Sequence, residues 1–430
     1  MSMRVVIICH FSNSVVREQL HLKPILTKNV LKYKDFAGWI TNILDGLKGN
    51  EDLDIHVISP HVGMCCSTQV FETEGIHYYF FSKERPYPIG GIEESLFPQE
   101  KRNYPRNRRF IQRFIKQIKP ELVLLIGAEN AYYSISGLDV NNIPMMIHLQ
   151  TVYANPDRLK NVGGVDKKRW EVEVMLFRKT PYIACSGRMY YDLVKGYNPK
   201  AIVFPRKWPT AKFPSLPDVE KKFDFVYFAR FLNKNKGFDN ALEAIAVFTQ
   251  SHPETKFLAV GSRDNEWSKY DRRIKELGLE KCLEIHESFP VYSDLLQYVK
   301  QARFALLPIT MDVLSGTILE SMRMGMPVVT CRTSGTPLLN EKRKTVLISE
   351  IGDIDGLANN MKLLYENQDL EHTLRENSFM YLEEIDEADA DNVKEMVRQF
   401  EAVICHYRNG TSIPRELLFN LEENKDYRKR

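Results

Sequence analysis

Arg230, Lys234 and Lys236 stand close together in FVYFARFLNKNKGFDNALEAI, residues 225–245, with Gly237 directly after them. An apolar run ends at Arg230 and an apolar helical pattern begins after Gly237, so the cations fall on a loop between a strand and a helix. A guanidinium can bind two oxygens at once, and a nearby ammonium adds a point charge. Together they suit a diphosphate that gathers negative charge as its ester bond breaks. Cations on a solvated loop have the same spacing, so this stretch alone leaves both readings open. A second stretch, RFALLPITMDVLSGTILESMRMGMPVVT at 303–330, reads as strand, loop, helix and second strand, with Gly325 and Pro327 ending the helix. Asp312, Leu314, Ser315, Gly316 and Thr317 then lie at a strand-to-helix handover, where open α/β sheets bind anions. Gly316 lets backbone amides approach a phosphate, and the helix dipole adds positive potential there. Glu320, farther along that helix, could accept two hydroxyl hydrogen bonds such as a ribose offers. By itself it would pass for an ordinary exposed helix residue.

The elements that must position these residues alternate along the chain. Strand-like runs fall at 5–9, 53–59, 76–81, 121–126, 145–149, 182–185 and 201–204, with helical periodicity between most of them. The stretch FPRKWPTAKFPSLPD, 204–218, holds four prolines among charged and aromatic residues and reads as a linker. The alternation then restarts at 223–229, 256–261, 283–286, 303–308, 327–330 and 345–348. Such alternation predicts α/β architecture with parallel sheets wrapped by helices. The expected domains are residues 1–205, a linker at 206–221, a second domain at 222–388, a helix at 389–408 packing back on the first domain, and a loosely held tail at 409–430. Two such domains would place a cleft between them, a preferred ligand site.

Composition narrows the classes. The chain has 430 residues, room for more than one buried core, and its 59 Lys and Arg against 56 Asp and Glu give a net charge of +3, too small to argue for a nucleic-acid partner. Seven cysteines without a CxxC pair read as reduced thiols of a cytoplasmic protein. The opening MSMRVVIICH has too brief an apolar run for a signal peptide, and no stretch approaches the roughly 20 apolar residues of a membrane helix. The one strongly basic stretch, 101–119, holds eight Lys or Arg and no acid, with Phe110, Ile111, Phe114, Ile115 and Ile118 on one helical face. It suits a helix packed on the sheet with a solvated basic back, or peripheral contact with an anionic membrane surface. No metal-ligand cluster, repeat or covalent-nucleophile arrangement is visible in the spacing.

Taken together, Arg230 and Lys236 with a following Gly, the run DVLSGTILE, and the sequel SMRMGMPVVTCRTSGTPLL resemble the C-terminal domain of the retaining GT-B glycosyltransferases of family four. The resemblance covers 223 to about 365 well and the first domain loosely. It implies a GT-B fold, two Rossmann-like domains facing each other across a cleft, and transfer of a sugar from a nucleotide-diphosphate donor to an acceptor hydroxyl with retention of configuration. Residue by residue, Arg230 and Lys236 match the pair that holds the donor diphosphate, Glu320 the carboxylate that binds the ribose, and Asp312 the acid that addresses the donor sugar. The family more often has Glu at that position. Phe289 falls where the family's loop holds the base, and His148, ending the run PMMIHL, matches a His facing the donor sugar. A His in such an apolar run is otherwise more often a core residue. His10, Ser12 and Asn13 stand where many members carry a Gly-rich loop, and Glu129 could face an acceptor.

The resemblance therefore implies a metal-independent hexosyltransferase without a resident cofactor. Its co-substrate would be a UDP- or GDP-sugar, its acceptor a saccharide or a lipid-linked sugar, and its setting surface polysaccharide or glycolipid assembly. A sugar-nucleotide epimerase of the same fold and a non-catalytic nucleotide-sugar binding protein are the alternatives.

Overall fold

In a computed structural model of the chain, residues 2–23, 35–83, 96, 98–156, 164–209, 213–263, 267–289, 291–311, 314–333 and 335–422 are described. The chain divides into two compact units, one of Met1–Ala211 with Asp389–Asp426, the other centred on Lys212–Ala388.

The first unit is built on β1 (Met3–Ile8), β2 (Leu53–His61), β3 (Thr68–Thr73), β4 (Ile76–Ser82), β5 (Leu122–Ile126), β6 (Met145–His148), β7 (Tyr182–Cys185) and β8 (Ile202–Pro205). They form one eight-stranded sheet in the order β3-β4-β2-β1-β5-β6-β7-β8. Its inner strands are near-continuous apolar runs because both faces are covered. Val5 and Ile7 join the core with Ile40, Ile43 and Leu44 of the helix Gly38–Leu47, and with Met396, Phe400 and Val403 of the helix Asn392–Asn409. On β4, Tyr79 and Phe81 instead meet the helix Pro105–Ile118, their rings 5.3 and 5.5 Å from those of Phe114 and Phe110. That helix spends its apolar face, Ile111, Phe114, Ile115 and Ile118, on the interior.

Two sequence expectations change here. The sheet is not wholly parallel: β3 pairs antiparallel with β4, in a hairpin turned by Glu74 and Gly75 at φ 54° and 75°. Its run TQVFET is too polar to read as a buried strand, because an edge strand needs little burial, and the two positive φ values give a turn of the hand that suits hairpins. Nor are residues 410–422 loosely held. Leu417 is 2% exposed, Phe419 stacks on Tyr191 at 5.0 Å, and the Phe419 amide donates to the Val203 carbonyl at 2.9 Å. These few apolar residues carry the contact within an otherwise charged segment.

The second unit contains β9 (Phe223–Phe231), β10 (Phe257–Ser262), β11 (Leu283–His286), β12 (Ala302–Leu307), β13 (Val328–Cys331) and β14 (Val346–Ser349). Their order is β11-β10-β9-β12-β13-β14, and every neighbouring pair is parallel. Phe225 and Tyr227 face a core shared with the helices Phe238–Thr249 and Ile354–Glu366, whereas Val226 and Phe228 face one shared with Tyr292–Val299 and Gly316–Arg323. The Pro-rich run is anchored at both ends: Trp208 packs on the first unit's core, and Phe213 and Leu216 pack on the second's.

Candidate functional site

In the second unit the chain leaves β9 for β10 on one side, yet β12 pairs with β9 on the other. The strand order therefore reverses between β9 and β12, and the crevice beyond the carboxyl ends of such a strand pair is the place where open α/β sheets bind ligands. Both chemistry-bearing stretches of the sequence end there. Arg230 is in the last turn of β9, and Lys234–Lys236 form a single 3-10 turn leading to Gly237. Pro308, Ile309 and Thr310 continue from β12 toward the helix Gly316–Arg323.

Gly237 fastens one loop to the other. Its φ is 77°, and a Cβ at this position would stand 1.8 Å from the Pro308 carbonyl oxygen. Only glycine tolerates both the left-handed backbone and that approach. Thr310 Oγ1 donates to the carbonyls of Lys234 and Asn235 at 3.4 and 3.2 Å, and Tyr227 Oη donates to the Lys236 carbonyl at 3.1 Å. The cationic turn is thus held through its backbone carbonyls.

Arg230 is exposed, its guanidinium lies 5.4 Å from the Phe231 ring, and desolvation by the surrounding protein draws its pKa below the ordinary arginine range, yet the group stays charged at neutral pH. Ser315 is the N-cap of the helix Gly316–Arg323, but its hydroxyl meets the Thr317 hydroxyl at 3.0 Å instead of capping an amide. The first amides of a helix have no intrahelical acceptor, so this end is suited to an anion. Gly316 is exposed, Thr317 half-buried, and Leu314 packs against the core beneath. Glu320 lies on the same helix and is half-buried; burial raises its pKa, and a hydrogen bond from Tyr292 Oη at 2.7 Å opposes the rise. Tyr292 went unnoticed in the sequence, where nothing in VYSDLL ties it to a residue 28 positions away.

The remaining candidates lie elsewhere or outside the described residues. Asp312 is outside them. Phe289 stacks on His286 at 4.6 Å and lies tilted against Tyr298 at 5.1 Å, and it lines an open cavity of about 520 Å³ with Lys222, Asp294, Gln297 and Gln301. None of Arg230, Lys236, Glu320 or Ser315–Thr317 lines that cavity. His148 belongs to the first unit, fully buried, with Nδ1 accepting from Trp208 Nε1 at 3.0 Å and its ring 6.3 Å from that of Phe400. Burial, with the Arg206 charge adding to it, pushes its pKa down to about 3. The imidazole is therefore neutral at physiological pH. His10, of the loop after β1, lies edge-on to Phe36 and Tyr132, while Glu129 is buried and accepts from Asn130 Nδ2 at 3.3 Å.

The spacing along the sequence shows no metal-ligand cluster; among the described residues the fold brings together three groups that could hold a metal ion, Asp54, His56 and His77 of the first unit. Asp54 and His56 alternate on one face of β2, and the β2–β4 register places His77 beside His56. The x-spaced DIH of β2 was the only hint in the sequence, since the third residue depends on which strands pair.

Comparison with known proteins follows this geometry. Residues 210–379, which hold the whole of the crevice, match the family model described as glycosyl transferases group 1. The chain has the GT-B fold, and most of its second unit matches the glycosyl transferases group 1 model. Sucrose-phosphate synthase from Thermosynechococcus elongatus superposes with a TM-score of 0.67 at 13% identity, covering 93% of this chain and 99% of that one. Anabaena HepE, solved in complex with UDP and glucose, gives 0.59 at 14% identity, covering 91% and 99%. Among curated proteins, trehalose phosphorylase from Grifola frondosa is 37% identical over 110 residues, 25% of this chain and 14% of its own length. The amylovoran biosynthesis glycosyltransferase AmsK from Erwinia amylovora is 27% identical over 133 residues, 30% of this chain and 32% of its own length. The chain thus matches a third or less of the length of these curated relatives.

Proposed function

We propose that the chain is a retaining glycosyltransferase that moves a hexosyl group from a nucleotide-diphosphate sugar, a UDP- or GDP-sugar, to a hydroxyl of a saccharide or lipid-linked acceptor, in surface polysaccharide or glycolipid assembly. The observation that carries this reading is the joining of the Arg230–Gly237 turn to the loop before Gly316 at the reversal point of the second sheet. The HepE complex with UDP and glucose supports the donor class, and the similarity to AmsK supports the polysaccharide setting.

In this reading the diphosphate lies between Arg230, Lys236 and the amides of Ser315–Thr317. Glu320 accepts the ribose hydroxyls, and Tyr292 holds that carboxylate in place. The bond from the sugar's anomeric carbon to the β-phosphate oxygen breaks while the acceptor oxygen attacks from the same face. The acceptor's proton passes to the departing phosphate, and the product keeps the donor's configuration. Arg230, Lys236 and the helix amides stabilise the charge that grows on the phosphate, an electrostatic contribution greatest in the transition state. Two cations and a helix N-terminus balance that charge without a divalent ion. Asp312 would address the sugar, and cytoplasmic UDP- or GDP-sugars would supply it.

A thermal-shift panel of nucleotide sugars tests the donor. The correct one is expected to raise Tm with its concentration, adding about 2.7 kcal/mol at a hundredfold excess over Kd. A panel without any shift would remove the donor site. Transfer with the fitting donor, followed by NMR of the product's anomeric proton, tests the rest. Acceptor-free conversion of the sugar would make the chain an epimerase, and binding without turnover would make it a binding protein.

A further inference from the structure

The cluster on the first unit's sheet shares no residue with the crevice of the second unit and carries an inference of its own. Asp54 and His56 project from one face of β2, and His77 projects beside His56 from β4. His56 Nε2 and His77 Nε2 lie 2.9 and 3.7 Å from the same oxygen, Asp54 Oδ1. Those separations bracket the edge of about 3.4 Å expected for a tetrahedron of ligands with bonds of about 2.1 Å. His56 is 7% exposed, and its Nε2 has no aligned hydrogen bond despite the nearby carboxylate. The opposite nitrogens are both occupied. His56 Nδ1 meets Tyr79 Oη at 3.2 Å, and His77 Nδ1 lies 3.3 Å from Glu72 Oε2 on β3. An Nδ1–H donated to Glu72 leaves His77 Nε2 with its lone pair, and a bound ion would select the matching tautomer of His56, with Nδ1–H toward Tyr79 Oη, as in metal-bound histidines. Asp54 Oδ2 is held by Arg4 Nε at 2.7 Å, which orients the carboxylate and leaves Oδ1 as its single donor toward the imidazoles.

An alternative is a plain ion-pair network with protonated histidines. The two rings stack at 4.6 Å and 14°, so two imidazolium charges would repel across that gap, and Arg4 adds a third positive charge beside them.

We propose that Asp54, His56 and His77 form a structural site for a zinc-class divalent cation, with water completing the coordination, that clamps β4, and through Glu72 the edge strand β3, to β2. Two imidazoles and one carboxylate suit Zn²⁺, and Co²⁺ or Ni²⁺ in its place, over Mg²⁺ or Ca²⁺, which favour all-oxygen sites. His77 is 36% exposed at its side chain, which gives the ion a route in from solvent.

The full chain, stripped with chelator and dialysed, is titrated with Zn²⁺ by calorimetry and with Co²⁺ by visible absorption. One ion per chain is expected, with a tetrahedral Co²⁺ spectrum, a Zn²⁺-dependent rise in Tm and no comparable response to Mg²⁺. His77→Gln, at a partly exposed position where folding is at little risk, should weaken Zn²⁺ binding more than a hundredfold. Glu72→Gln, which removes only the group orienting His77, should weaken it about 10- to 100-fold. A Cys65→Ser, Cys66→Ser double variant should bind as tightly as the unaltered chain. Absence of stoichiometric binding, unchanged affinity in His77→Gln, or loss of binding in the cysteine variant would each overturn the site. None of these readouts depends on the donor or on transfer.

Discussion

In the second unit the end of β9 and the loop after it offer Arg230, Lys234 and Lys236 beside a helix N-terminus, whereas the loop after β1 in the first unit offers His10, Phe11 and Ser12. Both follow the first strand of their sheets, and both stand at a reversal of strand order, β9 with β12 and β1 with β5. Their chemistry differs nonetheless. Phe11 and Ser12 are buried, Ser12 Oγ contacts His61 Nε2 at 3.1 Å and accepts from Arg17 at 3.1 Å, and Glu129 follows β5 where Thr310 follows β12. The first unit's loop buries Phe11 and Ser12 in its own packing; the second unit's loop is joined to the loop after β12 through its backbone and carries Lys234 and Lys236. The same topology therefore carries a cationic loop in one unit and an aromatic, packed loop in the other, and side-chain chemistry decides which.

The contrast breaks most clearly at the cations. Arg230→Ala and Lys236→Ala are each expected to cost about 2 to 4 kcal/mol of activation barrier, seen mainly in kcat at saturating donor. His10→Ala, at the matching place in the first unit, should leave the Kd for donor unchanged. Near-normal turnover in both cation variants, or an equal loss of donor affinity in His10→Ala, would remove the distinction between the loops.

Gly237→Ala comes next. The left-handed φ alone costs about 1 to 2 kcal/mol, and the Pro308 carbonyl, 1.8 Å from the new Cβ, must move as well. Lower stability together with weaker nucleotide binding is expected; a full loss of stability with unaltered donor affinity would show that the joined loops do not form the site.

How much of this was legible in the sequence depends on where the information lies. The strands of the second sheet show as short, mainly apolar runs, because burial on both faces leaves few polar residues inside them, and Gly325 and Pro327 mark a helix end by their own backbone restrictions. The cations, Gly316 and Glu320 lie on two stretches whose spacing is local, so the sequence displays them. The pairs that matter most are not local. Gly237 against Pro308, Tyr292 against Glu320, and His56 beside His77 depend on strand order and register, which no window along the chain contains. The β3 edge strand escaped because its burial is slight and its pattern polar.

Acid should separate the units by a smaller amount. His148 in the first unit has its pKa pushed down to about 3, so the unfolded chain, near 6.5 at this residue, binds a proton that the folded chain does not. The contribution to stability is complete above pH 6.5 and is lost as pH falls from there toward 3, by about 1.4 kcal/mol per unit. In urea titrations the gap in unfolding free energy between pH 7 and 5.5 should shrink by about 1.4 kcal/mol in His148→Gln, whose amide can still accept from Trp208. An unchanged gap would mean that the folded histidine takes up its proton. Donor affinity measured at pH 7 in the same variant separates a core role from contact with the sugar.

The smallest effect tests how Glu320 is held. The reading gives it the ribose hydroxyls and gives Tyr292 the task of fixing it, through a hydrogen bond of 2.7 Å. Glu320→Ala should weaken nucleotide binding through loss of hydrogen bonds to a charged acceptor, about 1.5 to 3 kcal/mol at most. Tyr292→Phe removes only the bond that orients the carboxylate, about 0.5 to 1.5 kcal/mol. The informative quantity is the double variant measured with a nucleoside diphosphate and with its 2′-deoxy analogue. If Tyr292 acts through Glu320, its removal adds little once Glu320 is gone, and both single variants lose discrimination between ribose and deoxyribose. Additive losses with discrimination intact would place the ribose elsewhere on the second unit and leave Glu320 a packing residue of its helix.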